Sequence, residues 1–148
     1  MIEQDYLMRL LLQFFQAMAR SWELNRDEDN PQAAAETLEN AIGNATEMDG
    51  ATLLSLSPDS IAQIMRVTGV DPDVTQFVAR SMLLEAVYLT RAGQHQLATL
   101  RTQQAHAIAT EYSIDLPDNP ADFESITEGL EELALMGAPD MFDERFHL

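Results

Sequence analysis

Cysteine is absent from the 148 residues, and so is lysine. Without thiols there is no disulfide scaffold, no cysteine-ligated zinc site and no thiol chemistry. All eight basic residues are Arg, set against twenty-five Asp and Glu, for a net charge of −17. A chain so short of positive charge repels phosphate backbones and anionic headgroups, so neither nucleic acid nor a membrane surface is expected as a partner. Long apolar runs are missing too. The apolar stretch near the start is broken by Arg9 and Gln13, and nothing approaches the ~20 residues that span a bilayer. Glu3 and Asp5 replace the positive start of a secretory signal, and a cytoplasmic location is expected.

What is present is apolar content, 46% of residues, enough for a folded core despite the charge. The pattern predicts one helical domain over 1–138 and an acidic, aromatic tail over 139–148. Leu7, Leu10, Leu11, Phe14, Met18 and Trp22 recur at spacings of three and four, and Met8, Leu12, Phe15 and Ala19 form a second stripe beside them. A helix apolar over so wide an arc must be covered from two sides. The cover is either the chain's own helices or a second copy, so Leu7, Leu11, Phe14, Phe15 and Met18 are the candidate surface for a homodimer. Asn30-Pro31, Ser57-Pro58, Asp71-Pro72 and Asn119-Pro120 each join an N-capping residue to proline at the first helical position. Gly69, Gly93 and Gly137 stop the helices that end before them. With a short helix over 51–56, about seven helices result, and no segment alternates like a strand. The expected fold is an all-α antiparallel helix array.

The window 79–112 carries a repeat-like spacing. Two helices meet at Ala92-Gly93-Gln94, with small residues at Ala86, Ala98 and Ala105, where close helix crossings require them. This resembles a tetratricopeptide repeat, an antiparallel pair of helices. Leu89 suits the family pattern. Glu85 stands where leucine is preferred, Thr102 where an aromatic is usual and Thr110 where proline ends the repeat. Ala34 and Ala41 echo Ala98 and Ala105 on an earlier helix, giving two degenerate pairs separated by an insert over 50–69. The opening Asp5-Tyr6-Leu7-Met8-Arg9 and the stretch Leu53-Leu54-Ser55-Leu56-Ser57-Pro58 also resemble a family of small bacterial proteins that has no assigned activity.

The repeat resemblance implies a peptide groove on the first helix of the later pair, at Arg80, Leu83, Val87, Thr90 and Arg91. Arg80 and Arg91 are eleven residues apart, about three turns, and share a face. They could clamp a carboxylate, or pair with the chain's own acids, the favoured reading. The family's carboxylate clamp needs Asn and Lys where Leu83 and Val87 stand. These apolar residues point to a groove filled by the last helix, by the tail or by a partner. Asp5 and Arg9 are spaced for an i,i+4 pair, with Tyr6 expected in the core. His95, His106 and His147 lack the spacing of a metal pair. The run Asp27-Glu28-Asp29-Asn30 lacks the Glu at the twelfth place that a calcium loop needs. No phosphate loop or nucleophile elbow is present. Neither metal nor cofactor is expected.

These features predict a non-catalytic protein-interaction or assembly module with a protein or peptide partner. Two rivals stand beside it: an acidic decoy that occupies a basic protein, and an enzyme with an unrecognised helical pocket. Charge is uneven. Residues 1–70 hold eleven acids and four Arg, 71–113 four acids and three Arg, and 114–148 ten acids and one Arg. The nearly neutral middle is where a contact is expected.

Overall fold

A computed structural model describes the backbone of residues 2–117 and the side chains of 5–117. Its six helices are α1 (Ile2–Arg26), α2 (Pro31–Thr46), α3 (Gly50–Leu54), α4 (Pro58–Thr68), α5 (Pro72–Arg91) and α6 (His95–Tyr112). Among the described residues every regular element is helical. The seventh expected helix, begun by Asn119-Pro120, and the 139–148 tail lie outside the described residues.

The helix starts follow from the predicted caps. Asn30 Oδ1 accepts from Ala33 N (3.1 Å), Ser57 Oγ from Ser60 N (3.3 Å) and Asp71 Oδ1 from Asp73 N (2.8 Å), each beside a proline at the head of its helix. These acceptors satisfy amide donors that have no intrahelical partner. The short α3 has a cap of its own, Asp49 Oδ2 accepting from Thr52 N (3.1 Å). The turn between α5 and α6 is tight because Gly93 takes φ +83°, a backbone region costly to residues with a Cβ. There Gln94 N reaches back to the Leu89 carbonyl (2.8 Å).

The helices pack in the order α1, α2, α5, α6, α4, with α3 laid on α2. Two consecutive antiparallel pairs, α1–α2 and α5–α6, are thus joined through α2 and α5, and the α3–α4 insert closes over α6. The insert starts with a close backbone approach. A Cβ on Gly50 would stand 2.4 Å from the Glu39 carbonyl oxygen, so only glycine lets α3 turn back onto α2 there.

The wide apolar arc of α1 is covered within the chain. Leu11, Leu12, Phe14, Phe15 and Met18 are all buried in one continuous core with Leu38, Ile42, Phe77, Tyr88 and Leu89. This corrects the expectation of a dimer surface on α1. Leu11, Phe14, Phe15 and Met18 are core residues, because α2 packs along α1 and α5 also contacts it; Leu7 is half-buried. One buried polar link ties α1 to α5. Ser21 Oγ donates to the Met18 carbonyl (2.7 Å) and lies 3.0 Å from the Tyr88 hydroxyl. A serine hydroxyl has a single proton, so Tyr88 is the donor to Ser21. Burial raises the Tyr88 phenol above its ordinary range.

Candidate functional site

The expected groove residues divide into three groups. Leu83, Val87 and Thr90 share one side of α5 and line a cleft of about 450 Å³ against Thr102 and His106 of α6. Leu83 is buried, Val87 half-buried and Thr90 exposed, so the cleft opens toward the α5 C-terminus. Leu116 and Pro117, just beyond α6, form part of its wall. The two hydroxyls are bonded to their own helices: Thr90 Oγ1 donates to the Ala86 carbonyl (2.8 Å) and Thr102 Oγ1 to the Ala98 carbonyl (3.1 Å). What they present to the cleft is therefore largely methyl surface.

The two arginines do not converge on that cleft. Arg80 is half-buried with its guanidinium 5.1 Å from the centre of the Phe77 ring, within cation–π range. It lines a neighbouring hollow with Gln76 and Tyr112. Arg91 turns the other way. Its Nη1 donates to the Asn25 carbonyl (3.0 Å) and to the Asn25 side chain, and its Nη2 meets Asp29 Oδ1 at 2.8 Å. Arg91 thus fastens the α1–α2 loop to the end of α5. The two guanidinia are directed to different parts of the chain, and Arg91 pairs with the chain's own Asp29, as the favoured reading expected.

The interior of the α5–α6 pair holds a charged network. Glu85 is fully buried and Arg101 is 3% exposed. Arg101 Nε donates to Glu85 Oε2 (2.9 Å), and Nη1 donates to the Leu54 carbonyl (2.8 Å) and to Gln104 Oε1 (3.1 Å). Its Nη2 lies 3.8 Å from Glu39 Oε2 on α2. Gln104 Nε2 donates to the carbonyls of Leu54 (3.0 Å) and Leu56 (2.8 Å). Burial pushes the Glu85 carboxyl up to about 7, against the pull of Arg101. Its second oxygen, Oε1, has no hydrogen-bond partner among the described residues. In the sequence Glu85 stands out only as a departure from leucine, and Arg101 and Gln104 belong to no recognised motif. A signal was present: Ala98, Arg101, Ala105 and Ile108 form one helical stripe, so an arginine sits in line with core residues.

The remaining expectations resolve individually. Tyr6 was expected in the core and is instead 46% exposed, its hydroxyl donating to the Glu47 carboxylate at the end of α2. Asp5 and Arg9 are both exposed, and their expected ion pair does not form. Asp27 and Glu28 pair with Arg26 and Arg20 (3.4 and 2.7 Å), which with the Asp29–Arg91 contact makes the acidic run an anchored loop. His95 and His106 are exposed, and His147 lies outside the described residues. Among the described residues no cluster of three or more His, Asp or Glu could hold a metal ion, and no helix is long and apolar enough to cross a membrane. No family model, curated protein or solved structure matches the chain.

Proposed function

We propose that the chain is a non-catalytic protein-interaction module of tetratricopeptide-like type, and that the α5–α6 cleft receives an extended apolar segment. The observation that carries this reading is the cleft itself. Its walls are Leu83, Ala86 and Val87 with His106 and two threonines whose hydroxyls are bonded internally, and Leu116 and Pro117 lie along one side. Apolar lining with few free polar groups favours apolar side chains over a polar substrate. The order of helix pairs, with α2 against α5, further supports the repeat resemblance.

The decoy reading draws on the net charge, but the described part of the chain uses many of its acids on itself. Glu23 and Glu28 pair with Arg20, Asp29 with Arg91, Glu111 with Arg66 and Glu85 with Arg101. Carboxylates so engaged do not imitate a run of phosphates.

The test is site-specific photocrosslinking in the cells that make the protein. A benzophenone side chain at Thr90 is expected to trap a partner, and one at Thr99, exposed on α6, is not. Adding Val87→Arg is expected to abolish the Thr90 adduct. Equal trapping at both positions, or an adduct indifferent to Val87→Arg, would refute the cleft as the contact.

A further inference from the structure

A second cleft, of about 560 Å³, lies at the opposite end of α5, where the start of α1, the end of α2 and the α4–α5 turn meet. Its floor includes Leu7, Met8, Leu10 and Val70, all half-buried and resting on the main core, with Val74 buried beneath. Tyr6 stands on its rim as one of the few large apolar side chains left exposed in the described residues.

The charge around this floor has one sign. Glu47, Asp71 and Asp73 line the cleft, and no basic residue does so among the described ones. Two of these acids are partly engaged: Glu47 accepts from Tyr6, and Asp71 Oδ1 caps α5 through Asp73 N at 2.8 Å. A carboxylate has about four acceptor positions, so each can accept more. The helix ends act in the same sense. α2 and α4 both terminate here, at Thr46 and Thr68, bringing the negative ends of two helix dipoles to the rim. The positive start of α5 also lies here, and it is offset by Asp71 and Asp73. The α5–α6 cleft differs, being lined by aliphatic residues, threonines and one histidine, with no acid.

We propose that this cleft is a docking site for a basic amphipathic segment of a partner protein, with apolar side chains on the floor and flanking Lys or Arg toward Glu47 and Asp73. An apolar floor with a rim of uniform sign supplies the two components such a segment presents, anchoring burial and complementary charge. The site is separate from the α5–α6 cleft and stands or falls independently of it.

The probe is a synthetic Leu/Lys peptide with helical amphipathic spacing, titrated at physiological salt. Methyl signals of Met8 and Val70 are expected to shift on binding, and those of Val87 and Val67 to stay. Glu47→Gln with Asp73→Asn is expected to weaken binding about tenfold, equivalent to ~1.4 kcal/mol. Glu36→Gln with Asp59→Asn, which removes two exposed charges elsewhere, is expected to change it by less than about twofold. A Ser/Lys peptide of the same charge is expected not to bind. The proposal is overturned by equal weakening from the two double variants, by equal binding of the Ser/Lys peptide, by shifts at Val87 in place of Met8, or by no binding. The shifts are read in the unaltered protein, so a variant that folds poorly does not decide the matter.

Discussion

The two helix pairs are built from similar parts and held together differently. Between α1 and α2 the contact is apolar, with Leu11, Phe14, Leu38 and Ile42 all buried, and the polar ties lie at the rim, in the Asp27–Asn30 loop and its contact with Arg91. Between α5 and α6 a carboxyl–guanidinium pair and an amide sit inside, Glu85 with Arg101 and Gln104. Apolar packing is tolerant of what lies next to it. A buried charge is not, because it must be matched in position by specific donors and acceptors. The first pair therefore depends on volume, the second on geometry, and the second also has to grip the α3–α4 insert through the Leu54 and Leu56 carbonyls.

Breaking the second pair at its charge gives the largest expected effect. Arg101→Ala leaves Glu85 buried without its main counter-ion and is expected to cost about 3–5 kcal/mol in urea denaturation. Joining Arg101→Met to Glu85→Leu is expected to recover most of that loss, because an apolar pair of similar volume removes the desolvation cost together with the attraction. A double variant as unstable as Arg101→Ala alone would mean that the links to Leu54 and Gln104, and not the charge pair, carry the geometry.

The next effect is in pH. The Glu85 carboxyl rises from 4.5 to about 7 on folding, so the folded state holds this proton more tightly than the unfolded state. The contribution to stability is fully present below 4.5 and is lost as pH rises through about 7. The difference in unfolding free energy between the parent and Glu85→Gln should therefore change across pH 4.5 to 7, the parent losing stability relative to the variant as pH rises. A difference that stays constant across that window would show that Glu85 remains ionised throughout.

The smallest effect belongs to the rim. Arg91→Ala removes a contact between side chains that are 44% and 83% exposed, and it is expected to cost less than about 1 kcal/mol. Thermal unfolding at low and high salt checks this, and a loss comparable to that of Arg101→Ala would erase the contrast between rim and interior.

The helix starts were the most legible feature of the sequence, because Asn30-Pro31, Ser57-Pro58 and Asp71-Pro72 encode their caps locally. The arc on α1 correctly required cover from two sides, but periodicity does not say who supplies it, and α2 and α5 do. Arg80 and Arg91 share a helix face by spacing alone, yet Phe77 draws one and the Asp29 loop the other, a choice fixed by tertiary neighbours. Tyr6 failed for a related reason. It lies on the first described turns of α1, where the end of α2 offers Glu47 at the surface instead of apolar cover. The Leu83, Val87 and Thr90 side of α5 was readable through the repeat resemblance. The acidic cleft at the start of α1 was not, since it gathers residues from 6 to 74.

The guanidinium of Arg101 has a consequence for how the molecule opens. It contacts α2 through Glu39, the insert through Leu54 and α5 through Glu85, while belonging to α6 itself. The insert cannot swing away without exposing or stranding that charge. Local opening of 50–69 therefore carries much of the cost of global unfolding. A segment that looks like an appendage between two helix pairs should exchange its amide hydrogens on nearly the same timescale as the core of α5.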